Sequence, residues 1–295
     1  MQGNEEKKHN IRGHKILLAS VLCLFGFCLL AQKPVQNKQS RPQQEAKVQA
    51  PKKQQAKSKV YLIHSDMLRK DSRHPDAQVV TGNVVFRHDS VYMYCDSAYY
   101  YDKLGSFEAF SNVKMNQGDT LFLYGDRLYY DGNTQIAEVR NNVRMENRNT
   151  TLLTDSLNYD RLYNLGYFFD GGTLMDEQNV LTSEWGEYNP STKQSVFNYN
   201  VKLVNPQFTL TSDTLEYNTQ SKVAEIVGPS DILSDNNHIY SEQGTYNTAT
   251  GKAALYQRSI ITNDAKQLTG DTLFYDRNTG VGEAFSHMEM RDTIN

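Results

Sequence analysis

The residues able to do chemistry recur at a fixed interval. An acidic residue followed four positions later by tyrosine appears as Asp96/Tyr100, Asp126/Tyr130, Asp155/Tyr159, Glu184/Tyr188, Asp213/Tyr217, Glu242/Tyr246 and Asp271/Tyr275. The first step is 30 residues and the next five are 29; an eighth copy precedes them at Asp66, where Lys70 replaces the tyrosine. Such a ladder of carboxylates could bind calcium or do acid–base work on a glycan. Equivalent positions two strands apart are separated by about 10 Å, too far to share one ion or flank one glycosidic bond. Each acid is therefore expected to satisfy backbone N–H groups freed at a corner. The tyrosines are expected to form a packing ladder, half buried with their hydroxyls at water, with a sugar-stacking strip as the alternative.

Other chemistry is weakly signalled. His9 and His14 precede the repeats, and His64, His74, His88, His238 and His287 fall at unrelated repeat positions. No HExxH, paired cysteines or GxSxG motif occurs, so the pattern points to neither a zinc site nor a serine nucleophile, and no cofactor is implied. Cys95 sits in a column of small residues and reads as a packed thiol. An enzyme cleaving glycans would need carboxylates clustered in one cleft, which the repeat spacing does not offer.

The elements that position these residues alternate with period two, the mark of strands. Three positions before the acid lies an apolar column: Ile63, Met93, Leu123, Leu152, Leu181, Leu210, Ile239 and Leu268. One position before it the residue is small (Cys95, Gly125, Thr154, Ser183), and after it the inward phase resumes at the second and fourth positions. That one-residue slip predicts a bend at every acid. A second strand follows in each repeat, interrupted by a polar or glycine pair such as Asn141-Asn142, Gly171-Gly172 or Ser286-His287, a second corner. Turn sequences such as Asp131-Gly132-Asn133-Thr134 separate the strands, and Pro75, Pro190, Pro206 and Pro229 are placed in turns or corners. About eight 29-residue hairpins with both arms bent give an all-β body of two facing antiparallel sheets. Sixteen strands would stack to about 75 Å.

The chain divides by composition into 1–31, 32–59 and 60–295. Lys7, Lys8, Arg12 and Lys15 precede an apolar run from Ile16 to Leu30, short for a membrane span and suited to a signal peptide. Cleavage near Ala31 and retention as a signal/anchor helix in the inner membrane both remain open; Phe27 and Leu22, before Cys28 and Cys23, weaken a lipoprotein reading. Residues 32–59 are rich in Gln, Lys and Pro and are expected to be a disordered basic tether. Of 31 basic and 34 acidic residues, twelve and three fall in 1–59, leaving residues 60–295 with a net charge of −12. An acidic body excludes a nucleic-acid partner.

The segments Thr81-Gly82-Asn83-Val84-Val85-Phe86, Asn112-Val113-Lys114-Met115, Asn142-Val143-Arg144-Met145 and Gly270-Asp271-Thr272-Leu273-Phe274-Tyr275-Asp276 resemble the OstA-like module of the LptA family. The resemblance covers residues 60–295. It implies an elongated folded β-jellyroll in a Gram-negative periplasm, binding the lipid A acyl chains of lipopolysaccharide. It also implies a bridge between inner and outer membranes, with partners joined edge to edge and self-association as one form of this. Small residues alternate with the leucine column, and Gly186 and Gly244 stand where neighbours have leucine, so an unfilled apolar groove is expected. Its expected lining is Leu123, Leu152, Leu181, Leu210, Ile239, Leu268, Val113, Met115, Val143 and Met145. The alternative is a structural or adhesive β-rod of the cell envelope with a self-filled core. The chain stops at Asp292-Thr293-Ile294-Asn295, similar to the strand opening Asp119-Thr120-Leu121: either a truncation, or a last edge left for a partner.

Overall fold

A computed structural model describes residues 58–234, 237–264 and 266–292. The leader and nearly all of the tether lie outside the described residues. Residues Gln55–Asn295 form one compact unit. Its strands are β1 (Tyr61–His64), β2 (Met67–Asp71), β3 (His74–His88), β4 (Val91–Tyr101), β5 (Ser106–Gln117), β6 (Leu121–Asp131) and β7 (Ile136–Asn147). They continue as β8 (Thr150–Asp160), β9 (Leu165–Phe168), β10 (Gly172–Asp176), β11 (Asn179–Ser183), β12 (Trp185–Tyr188) and β13 (Gln194–Asn205). The last are β14 (Phe208–Asn218), β15 (Val223–Ser234), β16 (Asn237–Asn247), β17 (Lys252–Asn263), β18 (Lys266–Asp276), β19 (Val281–Phe285) and β20 (Glu289–Asp292). Twelve of these run unbroken through their corners. The other eight are the paired arms of four strands interrupted at the corner, so the expected sixteen bent strands are present among the described residues.

Each of the sixteen bent strands pairs antiparallel with the bent strands beside it in sequence, and each long pairing shifts register once, at the bend. In β6 the inward residues are Leu121, Leu123 and Gly125 before the bend, then Leu128 and Tyr130 after it. The phase slips at Asp126, as the spacing requires. The arms before the acid and after the polar pair make one wall of a trough; the remaining arms make the other.

The chemistry of the bend is local. In β5, Ser111 and Asn112 take φ of 61° and 49° and together lie opposite Asp126, a two-against-one bulge. The same left-handed pair recurs at Asn141-Asn142, Tyr199-Asn200, Gln257-Arg258 and Ser286-His287. Asn tolerates this conformation better than most residues, which explains its frequency there. Glycine takes the position at Gly171 (φ 82°) and Gly228 (φ 107°), the latter followed by Pro229 in the corner of β15. Pro190 and Pro206 lie in turns, whereas Pro75 is the second residue of β3, inside a strand rather than a turn.

Candidate functional site

The walls face each other across one apolar core. Its longest row begins at Leu62 and Phe86 and continues in register across fourteen further strand arms: Met93, Met115, Leu123, Met145, Leu152, Leu174, Leu181, Leu203, Leu210, Ile232, Ile239, Ile261, Leu268 and Met290. Eight of the ten residues anticipated as groove lining stand in this row; Val113 and Val143 lie one inward position nearer the corner. The anticipated lining took Met115 and Met145 from the strands between the acid-bearing ones but missed their counterparts Leu174, Leu203, Ile232 and Ile261. The same 29-residue step relates those residues to one another.

The interior is filled. Leu152, Leu174, Leu181, Leu203 and Leu210 are at most 1% exposed, and a void wide enough for water would expose the side chains around it. The glycines anticipated to leave space do not. A Cβ at Gly186 would meet the Phe168 ring at 2.6 Å and Phe197 at 3.1 Å, so aromatic rings from neighbouring strands occupy that room. At Gly244 a Cβ would meet the Ala254 carbonyl oxygen at 2.5 Å: the glycine allows a close backbone approach. The row opens toward the last strands, with Leu268 half buried and Met290 exposed. A cleft of about 640 Å³ lies instead on the outer face around Ala254, Phe274 and Glu283.

The tyrosine column corrects the expectation of half-buried rings with hydroxyls at water. Tyr130, Tyr159, Tyr188, Tyr217 and Tyr246 are among the largest fully buried side chains, and Tyr100 and Tyr275 are buried too. From Tyr130 to Tyr275, room comes from the neighbouring strand, which places a small residue beside each ring: Ala137, Gly166, Ser195, Ala224, Ala253 and Gly282. The rings lie inside the trough near its mouth, the side opposite the corners. Burial pushes the phenols of Tyr130 and Tyr159 up to about 12.

Across the mouth, polar side chains of the two walls bond to one another. His88 Nδ1 lies 2.6 Å from the Tyr130 hydroxyl and 3.1 Å from Arg161. Gln117 donates to Asn164, which also accepts from Tyr159. Asn147 accepts from Tyr188 and from Lys193. Asp176, 1% exposed, accepts from Tyr217 at 2.7 Å and from Lys222 at 2.8 Å. Arg277 donates to Tyr246 at 2.8 Å and to Gln207. The His88, Gln117, Asn147 and Asp176 side of these contacts belongs to one wall, the tyrosines and cations to the other. Burial pulls the Lys222 ammonium down, but its bonds to Asp176 and Glu177 outweigh this and leave its pKa raised. Burial and the nearby Arg161 hold the His88 imidazole below its ordinary value.

The acids sit at the corners, as expected, but their main partners are side chains rather than freed backbone groups. Asn112 donates to Asp96 at 2.7 Å, Asn142 to Asp126 at 2.6 Å and Asn83 to Asp66 at 3.0 Å. Asn200 donates to Glu184, Arg258 to Glu242, and His287 pairs with Asp271. One backbone bond, from Asn142 N–H to Asp155 at 3.4 Å, follows the anticipated pattern. The acids thus tie each left-handed pair to the adjacent, preceding strand. Among the described residues no three His, Cys, Asp or Glu side chains are grouped to hold a metal. Cys95 is a buried free thiol whose pKa burial pushes up to about 12.

Fold and site define a meander of twice-bent hairpins, closed around an apolar interior and fastened along one side by polar contacts. The OstA-like protein family matches residues 57–213 and 209–271, and the chain belongs to that family. No curated protein matches it. Among solved structures it is similar to LptH of Pseudomonas aeruginosa, described as the LptA-homologous periplasmic component of the conserved lipopolysaccharide transport device. The two share 14% identity over 39% of this chain and 96% of that one, with a TM-score of 0.37.

Proposed function

We propose that the chain binds lipopolysaccharide in a Gram-negative periplasm, shelters lipid A acyl chains between its walls and forms part of a bridge between the two membranes. The observation that carries this reading is the unbroken row of Leu, Ile and Met across fourteen strand arms in a member of the OstA-like family. Each methylene taken from water contributes about 0.8 kcal/mol, so an acyl chain of a dozen methylenes recovers roughly 10 kcal/mol against the wall contacts it displaces. The walls must part to admit it, and the mouth is the side where they can. The corners are continuous backbone, whereas the mouth is held by hydrogen bonds contributing about 1 kcal/mol each. The residues that would then face the acyl chains are Leu123, Leu152, Leu181, Leu210, Ile239, Leu268, Val113, Met115, Val143 and Met145. No step in this role requires bond chemistry.

Partners would join at the sheet edges. β19 and β20 pair only with β18 among the described residues, and Val281, Phe285, Met288 and Met290 there are exposed. An added strand would cover them, whether from another transport component or from a second copy of this chain. The residue 16–30 segment would deliver the body across the inner membrane and, if retained, tether it there.

The test is a photo-crosslinking residue in place of Leu181 or Leu210, in cells exporting lipopolysaccharide. Adducts with lipopolysaccharide are expected at both positions; their absence refutes the reading. The filled interior favours a second reading, a structural rod whose core needs no guest, and that reading predicts no adduct at either position.

A further inference from the structure

The mouth carries a row of cations that the hydrogen-bonded seam does not explain. Arg161, Lys193, Lys222 and Arg277 sit half buried along one wall, in a body whose net charge is −12. Cations buried to this degree are normally matched by carboxylates. Only Lys222 is so matched, by Asp176 and Glu177; the other three form no ion pair among the described residues. Arg161 has His88 and the Tyr130 hydroxyl, Lys193 has the Asn147 amide oxygen, and Arg277 has Tyr246 and the Gln207 amide oxygen. Two buried nitrogens at the first of these places, His88 Nε2 and Arg161 Nε, have no hydrogen-bond partner among the described residues, although an Asp89 carboxylate oxygen lies 3.8 Å from His88 Nε2. At the second, the exposed Arg148 is close enough to Lys193 to help lower its pKa, and neither cation forms an ion pair among the described residues.

Each cation also has at least one partner on the opposite wall: His88, Asn147, Asp176 and Gln207. Parting the walls removes those partners and leaves a row of unneutralised donors at the lip of an apolar trough. That is the arrangement that would receive a molecule with an apolar body and an anionic head.

Resting on the lipopolysaccharide reading, we infer that Arg161, Lys193, Lys222 and Arg277 form a phosphate-binding rail along the mouth. As acyl chains enter between the walls, the cations exchange their opposite-wall partners for the phosphate groups of the glycolipid head. The rail would hold the head outside, and fix which end of the lipid faces solvent. Guanidinium and ammonium groups suit this because bonds to phosphate are charge-assisted, whereas the Asn147 and Gln207 amide oxygens that Lys193 and Arg277 leave are neutral; Lys222 would exchange one anion for another.

The experiment compares the full chain with a Lys193→Gln/Arg277→Gln variant, measuring affinity for bisphosphorylated lipid A, for the same lipid with both phosphates removed, and for inorganic phosphate. Native protein is expected to prefer the phosphorylated lipid. The variant should lose about tenfold or more of that preference, as loss of a charge-assisted bond implies, while its affinity for the dephosphorylated lipid does not fall. A Lys193→Arg/Arg277→Lys variant should keep the preference, separating charge from folding. Equal losses for both lipids in the Gln variant, or no preference in the native protein, would overturn the rail but leave acyl binding standing. Binding of neither lipid to native protein would sink the lipopolysaccharide reading and the rail with it. Inorganic phosphate binding as tightly as the phosphorylated lipid would assign the cations to a free anion instead.

Discussion

Asp176→Ala should be among the more damaging single substitutions at the mouth. The carboxylate is 2% exposed and accepts three bonds, one from the Tyr217 hydroxyl at 2.7 Å and two from Lys222 at 2.8 Å. Removing it strands a buried charge, which costs about 3–5 kcal/mol when nothing else compensates. Two things soften this: Lys222 is 17% exposed and keeps Glu177 at 3.1 Å, and Tyr217 still accepts from Asn179 at 2.9 Å. The expected loss is therefore about 3 kcal/mol, or roughly 6–12 °C in Tm for a body of this size. Asp176→Asn keeps an acceptor and should lose about 1 kcal/mol. Lys222→Met leaves the carboxylate without its cation and should lose about 3 kcal/mol. The double variant Asp176→Leu/Lys222→Met removes both charges and should be close to native, a coupling of several kcal/mol. Guanidinium unfolding gives the free energies, and amide exchange across β10 and β14 locates them. An Asp176→Ala protein within 0.5 kcal/mol of native, or a double variant as unstable as its singles combined, would refute the account of the seam.

Four further outcomes follow. Leu181→Ala, in the filled interior, should lose about 2–5 kcal/mol in equilibrium unfolding, because the surrounding row cannot collapse fully into the gap. Gly186→Ala should destabilise although it adds only a methyl, since its Cβ would lie 2.6 Å from the Phe168 ring; a neutral result in the same assay would mean the ring moves freely. The lowered His88 pKa contributes stability that is whole above the unfolded value near 6.5 and is lost as pH falls through the folded one. The unfolding midpoint should thus drop between pH 7.5 and 5, and His88→Gln should flatten that drop. Cys95, its thiol held near 12, should resist iodoacetamide at pH 8 in the folded protein and react once unfolded.

The fold was legible because its signal is repeated. A single Asp–Tyr pair says little, but the 29-residue step, with the slip of inward phase at each acid, specifies strands bent at known residues, and the bends lie there. The ten interior residues were found by the same means. What could not be read was which way the tyrosine hydroxyls point. Their partners lie 41 or 42 residues away on the opposite wall, one repeat and a half distant, and are chemically unlike: His88, Asn147 and Asp176. These partners follow the repeat step, yet a column that changes residue type at each turn has no composition to betray it. The filling of the trough was hidden for a similar reason. Glycine at 186 suggests space until the phenylalanine at 168 is seen lying across it.

The meander has a consequence for size. Because each bent strand bonds only to the strands beside it, one more hairpin can be set onto the stack, adding about 10 Å, without altering a contact already made. Reach in this architecture is therefore counted in whole duplications of one short stretch of gene, and a lineage facing a wider gap between its membranes could meet it by copying rather than by redesign.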